Sequence, residues 1–147
     1  MSSVGLEGLE HTVQLTHIWI NELDDRLGWN NKARSYRLLK SVLHALRDRL
    51  QPAETADFAA QLPTLLRGAY YEQWRPGAPR AKHRSKADFL AQVEDAFKAD
   101  PLPQPSRAVM AVFELLSSKI TAGEIDDVRH ALPEEIRNLW PERYVRA

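Results

Sequence analysis

The segment Arg37 to Tyr70, RLLKSVLHALRDRLQPAETADFAAQLPTLLRGAY, recurs without a gap as Arg107 to Trp140, RAVMAVFELLSSKITAGEIDDVRHALPEEIRNLW. In this alignment eight of the 34 positions are identical: Arg37/Arg107, Val42/Val112, Leu46/Leu116, Glu54/Glu124, Asp57/Asp127, Leu62/Leu132, Pro63/Pro133 and Arg67/Arg137. Chance gives roughly two for such compositions. Other pairs keep their chemistry, among them Leu43/Phe113, Leu50/Ile120 and Tyr70/Trp140, and the same offset extends upstream, where Trp19, Leu23, Asp24 and Leu27 meet Phe89, Val93, Glu94 and Phe97. The pattern predicts a tandem duplication.

Within the segment, Tyr36, Leu39, Leu43, Leu46 and Leu50 step by three and four with no Gly or Pro, which predicts a helix over about 33–50. Upstream, Leu9, Val13, Leu15, Ile18, Trp19, Leu23 and Leu27 predict another over 9–27, ended by Gly28, with Asn30 or Asn31 capping the next. Pro52 suits the first turn of a third helix, and its counterpart Thr121-Ala-Gly-Glu124 fits a reciprocal capping box. Pro63 and Pro133 should each break one helix and open a short one. Ser85 should start a helix over about 88–98, followed by a stiff stretch through Pro101, Pro103 and Pro105.

No strand-like alternation bounded by hairpin turns appears. The expected fold is all-α, a tandem duplication of a unit of about three helices plus one short helix, packed as one helical bundle-like domain. Residues 1–74 form the first repeat, 75–85 a basic linker containing Pro and Gly, and 86–147 the second repeat. The aromatic junction of Tyr70, Tyr71 and Trp74 favours mutual packing over two separate beads, because such side chains seldom stay solvated together.

A chain of 147 residues buries enough surface to fold without staples, and it has none: cysteine is absent, which excludes disulfides, thiolate catalysis and Cys-based metal centres. There is no signal-like N-terminus and no long apolar window, so a soluble, cytoplasmic protein is expected, with no membrane partner. The net charge of zero hides a basic middle. Residues 1–29 carry one basic and five acidic groups, 30–86 twelve and four, and 87–147 seven and eleven, giving −4, +8 and −4. Complementary surfaces within one globule explain this, as does an anion-binding face.

The run LHALRDRLQPAETADFAAQLPTLLRGAYYEQW, Leu43 to Trp74, with the basic segment after it and FLAQVEDAF, Phe89 to Phe97, resembles the bacterial family of domain of unknown function 2267. The resemblance covers nearly the whole chain and implies a helical domain with no established activity, hence no catalytic residues to carry over. Family members often have glycine after Tyr71-Glu72, where this chain has Gln73.

Catalytic signatures are missing. His11, His17, His44, His83 and His130 show no HExxH or i, i+4 pairing, and there is no nucleophile elbow or Gly-rich phosphate loop. Neither an enzyme, a metal nor a small-molecule cofactor is indicated. The recurring carboxylates Glu54/Glu124 and Asp57/Asp127 are read as structural, Glu124 capping a helix and the aspartates pairing with Arg67 and Arg137.

Arg37, Lys40, His44 and Arg47 lie three or four residues apart and so form a stripe on one helix face. With Arg75, Arg80, Lys82 and Arg84 they make a candidate anion-binding surface, for which the plainer account is the solvated face of an amphipathic helix. The function favoured by the sequence is a non-enzymatic helical interaction or structural module, self-associating or binding an unknown protein, with Trp29, Tyr71, Trp74 and the terminal Trp140-Pro-Glu-Arg-Tyr144 as available anchors, although Trp19, Tyr70 and Trp140 are read as core. The alternative is an electrostatic binder of nucleic acid or another polyanion.

Overall fold

Helix α1 spans Ser3–Leu27 and stops where Gly28 takes the left-handed conformation, φ 69°, that its missing Cβ permits. The computed structural model describes residues 3–77 and 84–141, with side chains from residue 5. Asn31 then caps α2, Lys32–Arg47, its side-chain oxygen accepting the Arg34 amide at 3.1 Å. Beside it the buried Asp24 carboxylate accepts from Ser35 Oγ at 2.7 Å and the Asn31 amide at 3.0 Å, fixing the α1–α2 corner. Helix α3, Pro52–Ala59, opens with Pro52 in its first turn, and the Glu54 carboxylate accepts the Gln51 amide at 2.8 Å. Pro63 ends the following turn and opens α4, Thr64–Tyr71.

Beyond the undescribed residues 78–83, Ser85 caps α5, Lys86–Glu94, which tightens into one 3₁₀ turn, Asp95–Phe97. Then come α6, Pro105–Lys119, α7, Ala122–Ala131, and the single-turn α8, Glu134–Arg137, opened by Pro133. The described residues contain no strand, so the fold is all-α. Gln73, at the position where the resembling family prefers glycine, adopts φ 63°, the region where a Cβ is strained.

Burial recurs at equivalent positions of the two segments. Leu39/Val109, Leu43/Phe113, Leu46/Leu116, Phe58/Val128, Leu66/Ile136 and Tyr70/Trp140 are all inside one continuous core. Helices α2 and α6 pack on each other, α3 meets α7, α1 lies on α6, and α5 lies on α2. Side chains repeat the exchange. Lys119 donates to Glu22 at 2.8 Å, and their counterparts in the opposite halves do the same, Arg49 donating to Gln92 at 2.6 Å.

One sequence expectation needs correcting. Thr121 Oγ1 accepts the Glu124 amide at 3.3 Å, but the Glu124 carboxylate does not return the bond; the Thr121 amide instead donates to Gln61 Oε1 of the first unit at 3.3 Å. The acceptor for the Thr121 amide thus comes from a residue 60 positions earlier in the chain.

Candidate interaction surfaces

The four α2 residues of the predicted stripe do share a face, and their polar ends are already engaged. Arg37 donates to the Asp100 carboxylate at 2.7 and 3.0 Å and to the Ala96 carbonyl at 3.2 Å. Arg34 reaches the same carboxylate, and both guanidinium groups lie over the Phe97 ring, at 4.7 Å for Arg37 and 5.0 Å for Arg34. The Arg37 hydrogen bond, reinforced by the charge of both arginines, holds the Asp100 carboxyl below its usual range. Lys40 Nζ sits 3.2 Å from Glu72. Arg47 is buried and donates to the Tyr70 carbonyl at 2.8 Å and the Glu72 carbonyl at 2.7 Å, closing the end of α4. Arg75 is exposed, while Arg84 turns inward to the carbonyls of Arg49, 3.1 Å, and Ala131, 3.4 Å. Arg80 and Lys82 lie outside the described residues.

His44 is half-buried, its Nε2 2.7 Å from the Ala69 carbonyl, which selects the neutral tautomer protonated there. Burial lowers its pKa, against the smaller effect of that carbonyl. The unfolded ring titrates near 6.5. Protons therefore bind the unfolded chain first, and stability is expected to fall as pH drops below about 6.5, until the folded ring also protonates. Urea midpoints between about pH 5 and 8 check this; His44→Gln, which keeps a donor for Ala69, should flatten that part of the slope.

The recurring carboxylates meet where α3 crosses α7. Glu54, Asp57, Glu124, Asp127 and His130 line a groove of about 340 Å³. Burial first, then the charges of Asp127 and Asp57, push the Glu124 carboxyl upward. The expected pairing of Asp57 and Asp127 with Arg67 and Arg137 is replaced by bonds to the backbone. Arg67 donates to the carbonyls of Ala59 and Leu62 at 2.9 and 3.1 Å, and Arg137 to those of Arg129 and Leu132, both at 2.9 Å. These arginines staple the chain turns before Pro63 and Pro133, so their conformation is set by carbonyls and not by acids. No group of three or more His, Asp or Glu among the described residues is placed to hold a metal ion.

A cluster of exposed apolar side chains lies elsewhere, on α1. Leu6, Leu9, Val13, Thr16, Ile20, Leu23 and Leu27 alternate steps of three and four, the spacing of a coiled-coil seam. From Thr16 onward the seam is covered or partly covered by the bundle, whereas Leu6, Leu9 and Val13 are 51%, 62% and 41% exposed. Leu65 of α4, 47% exposed, adds to the patch beside Thr12, whose Oγ1 accepts the Leu65 amide at 2.9 Å. A helix counted from Leu9, as the apolar spacing alone suggests, leaves out Leu6 and the heptad register. Of the predicted anchors, Trp29 and Tyr71 pack partly against the core and Trp74 lies against Tyr71, ring centroids 5.2 Å apart. Tyr144 lies outside the described residues. No helix among the described residues is long and apolar enough to cross a membrane.

Comparison with known proteins adds a family but no chemistry. The family model described as uncharacterized conserved protein (DUF2267) matches residues 16–139. A search of curated proteins returns no match.

Proposed function

Starting from the fact that the chain belongs to the family of uncharacterized conserved proteins DUF2267, we propose that it is a non-enzymatic helical interaction module that pairs with a second copy of itself through the exposed half of α1. The observation that carries this reading is the seam running from the buried to the exposed part of one helix: Leu6, Leu9 and Val13 continue, in register, the side chains that already seat α1 on the bundle. A second α1 laid antiparallel opposes the helix dipoles and makes an isologous contact, the commonest closed arrangement. The recurrent geometry of the two halves supports a duplicated unit as the scaffold.

The apolar part of the patch is made by Leu6, Leu9, Val13 and Leu65, between 41% and 62% exposed. A standard interface covers about 800 Å² per partner. Four side chains fall well short of the roughly 20–30 residues a side of such an interface, which sets the expectation of a micromolar dimer and not an obligate one. Sedimentation equilibrium between about 5 and 500 μM is expected to show monomer passing to dimer. The double variant Leu9→Glu with Val13→Glu, both at exposed positions, should stay monomeric with an unchanged fold. A wild-type protein that remains monomeric at about 500 μM overturns the reading. The polyanion alternative draws less support, because Arg37, Lys40, His44, Arg47 and Arg84 all have partners within the chain.

A further inference from the structure

Arginines 34 and 37 clamp Asp100 over Phe97, and the chain carries a second copy of that place. The alignment of the two segments takes Arg37 to Arg107, Arg34 to Gln104, Phe97 to Leu27 and Asp100 to Asn30. Leu27, Gln104 and Arg107 do come together in the structure. With Trp29, Leu102 and Pro103 they line a cleft of about 200 Å³ where the end of α1 meets the start of α6. At the position aligned with the aspartate the sequence has the neutral Asn30, which is not among the residues that line the cleft, so the cleft's lining holds an arginine and no carboxylate. Arg107 is exposed and has no ion pair among the described residues.

We infer that this cleft binds a small apolar carboxylate, the Arg107 guanidinium taking the role toward an outside anion that Arg37 has toward Asp100. The chemistry of the lining selects the ligand. Arg37 receives its carboxylate through two parallel bonds, 2.7 and 3.0 Å, the bidentate geometry that a planar guanidinium shares with a carboxylate. One guanidinium replaces the two of the occupied clamp, with Gln104 in place of the second, which suits a monoanion better than a phosphate dianion. Leu27, Trp29, Leu102 and Pro103 give the cleft apolar walls. Its volume is below the roughly 300–1,000 Å³ of drug-sized sites, so the ligand is an aryl or short branched acyl carboxylate and not a nucleotide.

Phenylacetate and its neutral analogue phenylacetamide are the probes, titrated into the uniformly nitrogen-labelled protein at low salt while the indole resonance of Trp29 and the Nε resonance of Arg107 are followed. Phenylacetate is expected to shift both saturably in the millimolar range, and phenylacetamide to bind at least about tenfold more weakly. Arg107→Gln should erase that tenfold preference, with the remaining spectrum reporting an intact fold. Equal affinity for the two probes, an unchanged titration in Arg107→Gln, or no shift at about 20 mM phenylacetate overturns the inference.

Discussion

Replacing Leu46 or Leu116 by alanine is expected to lower stability by about 2–5 kcal/mol in each case. Both side chains are fully buried, at equivalent points of the two long helices that pack on each other through the middle of the core. Each truncation removes apolar contacts and leaves a cavity in a core whose largest side chains, Phe113 and Tyr70 among them, are fully enclosed and have little freedom to rearrange. Equilibrium denaturation measures the loss. Similar losses at the two sites are expected if the halves contribute equally to one core; a midpoint indifferent to either change sinks the equivalence of the two positions. The two changes together should depart from additivity, since both helices belong to one packed cluster.

Arg47→Met is expected to cost about 2–4 kcal/mol, nearly as much, although the residue is charged and its spacing places it on a surface-like stripe. The methionine keeps most of the aliphatic packing but cannot donate, so the carbonyls of Tyr70 and Glu72 lose their partner at the end of α4. A cation at a helix C-terminus also opposes the negative end of the helix dipole. Lys40→Met is the contrasting case. Its pair with Glu72 is largely solvated and should contribute less than about 1 kcal/mol. Urea unfolding separates the two roles. If Arg47 instead served an anion-binding face, Arg47→Met would leave the midpoint unmoved and weaken co-sedimentation with a DNA duplex at low salt.

Periodicity makes most of the helices legible, because burial acts on every third or fourth residue and leaves a trace in composition. Pro52, Pro63, Pro133, Gly28 and Asn31 mark the boundaries for equally local reasons. What the sequence hides are partners distant along the chain. Nothing near Arg37 announces Asp100, 63 residues further along the chain. Nothing near Thr121 announces Gln61, and the local candidate, Glu124, is the residue a motif reading selects. Charge suggests charge, which points Arg67 and Arg137 toward aspartates, whereas five donors in a planar fork suit the converging carbonyls of a tight turn equally well. The α1 seam is half legible: its buried half has the ordinary look of a core helix, and only the structure shows where the bundle stops covering it.

The bond from Thr121 to Gln61 has a consequence for how the molecule folds. Helix α7 begins with an amide satisfied by a side chain of the first half, and Arg84 ties the carbonyls of Arg49 and Ala131 together across the same boundary. Neither half possesses all the groups needed to finish its own helix ends. Formation of the two halves is thereby linked, and the chain is expected to melt in a single step instead of half by half, which calorimetric and van't Hoff enthalpies of equal size would show.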